Sequence, residues 1–374
     1  MLLEGLHIPL TTPFHADGRL NLPKLAANVA RYSKTLAAGL IVLGPSGEPT
    51  LLSDDETRDV LRTAAQAATP EKVLIAGIAR DSVHSVLALA DFAADQYYDA
   101  VLVGAPSLPV LNAGSDFDDL ADKEEEELRD VLNDRSRKRT RVRMTYFQTI
   151  ADRSPLPIIL LRIPNRIILA RDAAELASHP NVLGIVDAVS GALGTQWLVE
   201  QTAPIHREVT VTPTFATVTA RMKLAAEAAP APALISAGSL TGAATTIAEP
   251  PALAPQLRTR TKSVGFQIIS GNSSSLLDAL NAGAVGIAPA FAACAPQACY
   301  EVYAAWKDDD PALAEEKQLR LRDAAALAES LGPGGLKYAC DLNGYAGGHP
   351  RLPHLPPTGE QRAALETLLH PLRN

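Results

Sequence analysis

The sequence predicts an α/β fold, a (β/α)8 TIM barrel carrying a C-terminal helical extension and two sizeable insertions. Three observations lead there. Eight short apolar runs alternate with amphipathic segments, the order of a parallel sheet wrapped in helices. The runs are apolar throughout rather than at every second residue, as strands covered on both faces should be. Finally, 374 residues with 47% hydrophobic content suffice for one large barrel with additions.

The strand candidates are Leu6–Thr11, Gly39–Leu43, Val73–Ile78, Ala100–Gly104, Pro157–Ile163, Val182–Asp187, Phe266–Ile269 and Ala284–Pro289. Helices fall between them at Pro23–Leu36, Asp54–Ala68, Ser82–Ala94, Tyr146–Asp152, Ala170–Ser178 and Ser274–Ala282. Ser53, with Glu56 three residues on, forms a capping box, and Pro23 suits a first helical turn. Two stretches exceed ordinary connections. Leu111–Arg143 is rich in charge, with a helix over Asp122–Asn133. Gly191–Ser263 holds a strand-like Glu208–Thr212, a helix over Thr217–Ala228 and an apolar run Pro232–Ala237. It reads as an accessory subdomain or a decorated sixth βα unit. Residues 1–295 thus form the barrel, with insertions at about 111–143 and 191–263, and 296–374 form a helical region. In that region Gln297–Trp306, Pro311–Leu331 and Thr358–Leu369 read as helices, and Gly332-Pro-Gly-Gly335 as a break.

Composition narrows the function classes. A net charge of -8 argues against a nucleic-acid partner, because phosphate recognition needs a concentrated basic surface. The basic run Arg135–Arg143 follows the acidic run Asp122–Glu127 and reads as a self-compensating solvated helix and turn. Cys294, Cys299 and Cys340 are an odd count without close pairing, which favours buried thiols over disulfides or zinc. No run has transmembrane length, and the first strand leaves no room for a signal peptide, so a cytoplasmic protein without a membrane partner is expected.

In this architecture chemistry sits at the carboxyl ends of the strands. Those ends supply the Gly44-Pro-Ser-Gly-Glu48 loop, Arg162, Asn165, Asp187, Ser190 and Asn272. Ser46 and Gly47 offer a loop where backbone N–H groups can converge on an anion, although an ordinary βα turn has the same look. Arg162 either faces the mouth, where a guanidinium would take a carboxylate, or pairs with Asp187 on the neighbouring strand. Asp187 and Glu48 are the candidate proton carriers, and Glu48 equally suits a cap or an internal pair. No histidine pair has metal-ligand spacing, and no serine lies in a nucleophile elbow, so no metal or other cofactor is called for.

Several segments in order resemble the dihydrodipicolinate synthase / N-acetylneuraminate lyase family of class I pyruvate-dependent aldolases. They are Ile8-Pro-Leu-Thr-Thr-Pro-Phe14, Asp17-Gly18, Gly44–Glu48 with Leu51–Glu56, Gly184-Ile185, Ser190-Gly191, Gly334–Cys340 and Leu352–Pro356. The resemblance implies a lysine after the Gly-Ile of the sixth strand, forming a Schiff base with pyruvate, and a relay tyrosine at the end of the fifth. Here those slots hold Val186 and Leu161. The hydroxyl pair after the second strand is reduced to Ser46 beside Pro45, and the aromatic pair after the fourth is Ser107-Leu108. No lysine lies between Lys138 and Lys223, so a shift of alignment does not restore the amine.

Imine catalysis needs an amine held on the carbonyl, which an alkyl side chain cannot replace. Two readings follow. One is a lyase-like protein that binds a small oxo or carboxylic acid and works, if active, as a lyase or hydratase without a covalent imine. The other is a catalytically inactive homologue acting as a ligand-binding or protein-interaction module, its second insertion giving a partner surface or closing the mouth. The resemblance also implies a homodimer or homotetramer.

Overall fold

A computed structural model describes residues 1–107, 125–164, 166–228 and 257–372. Its strands in chain order are β1 (Gly5–Pro9), β2 (Gly39–Val42), β3 (Val73–Ile78), β4 (Ala100–Gly104), β5 (Ile158–Arg162) and β6 (Val182–Asp187), then β7 (Arg207–Val211), β8 (Arg260–Val264), β9 (Gln267–Ser270) and β10 (Gly286–Ile287). Eight close a parallel barrel in the order β1-β10-β9-β6-β5-β4-β3-β2, while β7 and β8 form a separate antiparallel pair. The eight barrel strands fall on the eight apolar runs.

Helices α1 (Leu22–Tyr32), α2 (Asp54–Ala67), α3 (Val83–Asp95), α4 (Glu125–Arg153), α5 (Ala170–Leu176), α6 (Ala192–Thr202), α7 (Ala220–Ala228) and α8 (Leu276–Asn281) accompany the strands. The C-terminal extension consists of α9 (Pro296–Lys307), α10 (Pro311–Ser330), α11 (Gly332–Leu342) and α12 (Gly359–Leu369). The capping box at α2 is complete: Glu56 N donates to Ser53 Oγ at 3.2 Å, and Ser53 N to Glu56 Oε2 at 3.0 Å.

Successive side chains of a strand point to opposite faces, and the two faces here form separate clusters. Ile41, Ile75, Leu102, Ile159, Leu161, Val186, Ile269 and Ala288 fill the barrel interior. Leu40, Val42, Leu74, Val101, Leu160, Ile185 and Ile268 join the large core between barrel and helices. Leu161 and Val186 therefore point inward. Arg162 and Asp187, one residue further along, point toward the helix layer.

Three sequence readings need correction. From Glu125 on (residues 122–124 lie outside the described residues), the helices read over Asp122–Asn133 and Tyr146–Asp152 are parts of one element, because α4 runs unbroken for 29 residues, about 43 Å at 1.5 Å per residue. The basic run contains no turn and lies within it. The Gly332 segment opens a helix rather than breaking the chain. Its glycines serve close packing: a Cβ on Gly334 would lie 2.2 Å from the Leu355 carbonyl oxygen, and one on Gly335 2.5 Å from that of Ala328.

The third correction concerns the second insertion: α6 follows β6 as part of the barrel's helix layer, and only the described residues after it lie at the end of the barrel opposite the mouth. Val209 and Val211 pack on Leu2, and Thr217 Oγ1 donates to Leu2 O at 2.5 Å. Thr219 Oγ1 donates to Pro70 O, Ala220 N to Asp99 Oδ1 at 2.7 Å, and Arg221 to Lys72 O. All these partners precede or begin strands. The hairpin thus floors the barrel, helped by Gln267, which accepts from Leu3 N at 2.6 Å and donates to Met1 O at 3.0 Å. The apolar run Pro232–Ala237 lies outside the described residues.

Among the described residues, no helix is long and apolar enough to cross a membrane. Cys294, Cys299 and Cys340 are free and buried.

Candidate functional site

A cavity of about 250 Å³ opens at the carboxyl ends of β2 to β5. Its walls include Gly44, Pro45, Gly77, Leu102, Leu161 and Ile163, with Arg166, Glu48 and His354 as the groups bearing ionisable side chains. Larger hollows, about 660 and 530 Å³, lie beneath the barrel around Lys72 and Asp99. Size does not make them the primary candidate, because barrels of this architecture place their chemistry at the opposite face.

Arg166 is the residue that sequence reasoning missed. The chain leaves β5 at Arg162, turns at Pro164, and returns through an Ile163–Arg166 bridge with Arg166 N donating to Ile163 O at 3.0 Å. A proline two residues past a strand end was the available signal, since it sends the chain back across the barrel top. Asp81 Oδ1 holds Arg166 Nη1 at 2.9 Å and also accepts from Ser107 N at 2.9 Å. Ala105 O accepts from the same Nη1 at 3.1 Å. Nε and Nη2 of Arg166 have no partner among the described residues, so one edge of the guanidinium remains open for a ligand.

Arg162 takes the structural place. Its Nη1 lies 3.1 Å from Asp187 Oδ2 and 2.6 Å from Ser190 Oγ, on the helix side of the barrel wall. Asp187 Oδ1 also accepts from the backbone N–H groups of Val189 and Ser190, both at 2.9 Å. Its side chain is 2% exposed. Asp187 thus organises the turn into α6 and is absent from the walls of the mouth. Arg162, Asp187 and Ser190 come together, but away from the cavity.

Glu48 belongs to a second buried cluster. Its carboxylate pairs with Lys337 of α11, and neither side chain has any exposure. Lys337 Nζ also donates to His349 O at 2.8 Å and lies 4.3 Å from the Phe14 ring centroid. Burial pulls the Lys337 ammonium below its ordinary range, an effect that Glu48 opposes. Glu48 Oε2 accepts from Arg351 N at 2.9 Å, and the Arg351 guanidinium binds Glu56 at 2.7 Å, Leu51 O at 2.8 Å and Gly18 O at 2.7 Å. The cluster fastens the C-terminal loop to the loop after β2. A carboxylate committed in this way is poorly placed to exchange protons with a ligand.

The remaining candidates divide similarly. Ser46 and Gly47 are buried and lie outside the cavity walls, and Gly47 N is spent on Gly44 O at 2.8 Å. Asn272 caps the turn before α8, with Oδ1 accepting from Ser274 N at 3.1 Å and Ser274 Oγ at 2.7 Å. Asn165 lies outside the described residues. Val186 and Leu161 share one cluster inside the barrel, at 4% and 8% exposure. Val186 acts there as a core side chain, worth roughly 1.5–3 kcal/mol on burial. No lysine lines the mouth among the described residues, and Lys337 sits behind Glu48 where no ketone can reach it. No group of acidic, histidine or cysteine side chains suited to a metal occurs among them either.

Comparison with known proteins gives a consistent picture. The profile of the Dihydrodipicolinate synthetase family matches residues 2–109 and 253–372. The unmatched stretch between carries β5 and β6, with Leu161 and Val186. A 4-hydroxy-tetrahydrodipicolinate synthase of Acidiphilium cryptum is 25% identical over 360 residues, covering 95% of this chain and 93% of its own. The Gluconobacter oxydans protein of that name is 24% identical, covering 99% and 97%. Among solved structures, dihydrodipicolinate synthase from Aquifex aeolicus superposes with a TM-score of 0.70 at 19% identity over the whole of both chains. An E. coli K12 prophage protein of the dihydrodipicolinic acid synthase family, solved in complex with pyruvate, gives 0.70 at 20% identity, covering 100% of this chain and 99% of its own.

Proposed function

Because the chain belongs to the dihydrodipicolinate synthetase family, we propose that its barrel mouth binds a small carboxylic or oxo acid, and that any reaction there proceeds without a lysine imine. The observation that carries this reading is Arg166, whose Nε and Nη2 have no partner among the described residues and which lines a cavity whose other walls are mostly apolar. A planar guanidinium with two free N–H vectors takes a carboxylate bidentately, and a low-dielectric surround strengthens that contact. A cavity of about 250 Å³ is below the span of drug-sized pockets, which start at roughly 300 Å³, so the ligand has few heavy atoms.

Val186 supports the exclusion of imine chemistry. It occupies the inward position where the resemblance implies the nucleophile, and an alkyl group can neither attack a carbonyl nor carry a proton. A second reading, a ligand-binding or partner-binding homologue without catalysis, draws support from the proton carriers. Glu48 is committed to Lys337, and Asp187 faces outward. Family membership supports a homodimer or homotetramer, and a cytoplasmic location is read with it.

The test is a thermal-shift screen of small acids, pyruvate first. A ligand selective for the folded chain stabilises it by about 2.7 kcal/mol at a hundredfold excess over Kd. At least one acid should raise the melting temperature, and Arg166→Met should abolish the rise. A panel in which no acid stabilises the protein, or an Arg166→Met variant that responds like the native chain, would overturn the reading.

A further inference from the structure

We infer that His354, carried in by the C-terminal loop, is the second recognition group of the mouth, and that the preferred ligand is consequently a small dicarboxylate. The inference rests on the carboxylate reading of Arg166 and extends it. Three features carry it: where His354 sits, what holds it there, and what faces it.

His354 lines the mouth cavity together with Arg166. It reaches that position because Arg351, three residues earlier, is fastened to Glu48, Glu56, Leu51 and Gly18 around the loop after β2. His354 N then donates to Arg351 O at 3.0 Å, closing a turn that carries the side chain over the barrel. Arg166 enters from the end of β5. In the ring order β5-β4-β3-β2, three steps separate the two strands, well round a barrel of eight. The two groups therefore approach the cavity from different sides, with Leu102, Leu161 and Ile163 among the apolar walls. A short chain with a carboxylate at each end matches that arrangement.

The carboxylates at this end of the barrel are otherwise occupied. Glu48 is paired with Lys337, Glu56 with Arg351, and Asp81 with Arg166. Each is already committed to a cation, so the imidazole N–H is offered to the ligand's second carboxylate.

The experiment compares succinate with butyrate, which share a four-carbon chain and differ in the second carboxylate, by calorimetric titration of the full chain. Succinate should bind about tenfold more tightly than butyrate, as a hydrogen bond to a charged group allows. His354→Leu should lose the preference while still binding butyrate, and His354→Lys should keep it. His354 is exposed, so both variants should fold. If Arg166→Met abolishes binding while His354→Leu matches the native chain for both probes, the inference falls and the carboxylate reading stands. If another acid of the screen binds but succinate does not, the dicarboxylate assignment is likewise overturned. If no acid binds at all, the carboxylate reading falls and takes the inference with it.

Discussion

Replacing Lys337 by methionine should destabilise the protein far more than its peripheral position in the chain suggests. Lys337 and Glu48 have no solvent exposure, so the substitution leaves a carboxylate in a medium that cannot hydrate it. Breaking a buried pair from one side costs about 3–5 kcal/mol. Glu48 keeps one compensating contact, the Arg351 N–H at 2.9 Å, which places the expected loss near the lower limit, about 3 kcal/mol. The thioether would also forfeit the donor to His349 O and the cationic contact with Phe14. Glu48→Gln combined with Lys337→Met removes both charges and should cost less than the sum of the single changes, with a coupling of about 1–3 kcal/mol. Urea denaturation followed by far-UV circular dichroism, with an unchanged slope, measures each corner of the cycle. A loss below about 1 kcal/mol for Lys337→Met, the scale of a surface pair, or strict additivity, would refute the reasoning.

Two further outcomes follow from the same geometry. Asp187→Asn should cost about 1–3 kcal/mol by loosening Arg162 and the turn into α6, yet leave any ligand-induced thermal shift unchanged. A lost shift would put Asp187 back in the site. His7 is fully buried, and burial holds its imidazole down to about 4. In the unfolded chain it takes up a proton at about 6.5, so between the two values the unfolded state binds more protons and stability decreases as pH is lowered. Its contribution is present in full above about 6.5 and is lost as pH drops toward 4, a change on the order of 3 kcal/mol. Denaturation midpoints at several pH values, compared between the native chain and His7→Asn, should show that slope only in the former.

The barrel was legible because its signals are local. Continuous apolar runs such as Val73–Ile78 announce strands covered on both faces, and the box at Ser53 and Glu56 announces a helix start. The mouth was harder to read because it depends on parity and on distant partners. Arg162 and Leu161 are adjacent in sequence, yet register sends one to the helix layer and the other inside. Arg166 reaches the cavity only through a turn whose path no periodicity describes. Glu48 stayed open between proton carrier, cap and internal pair because its partner, Lys337, lies near the other end of the chain in a helix that begins with a glycine-rich sequence. The second insertion gave no directional cue, since both ends of a βα barrel accept additions of the same composition.

The claim on which the account turns is that, among the described residues, no side-chain amine in this barrel can reach a ketone. Incubation of the purified protein with pyruvate, reduction with borohydride and intact-mass spectrometry tests it, with Val186→Lys treated alongside. The native mass should be unchanged, whereas the variant gains one reduced pyruvyl group at position 186. A stoichiometric adduct on the native chain, mapped to a lysine at the barrel mouth, would contradict the account.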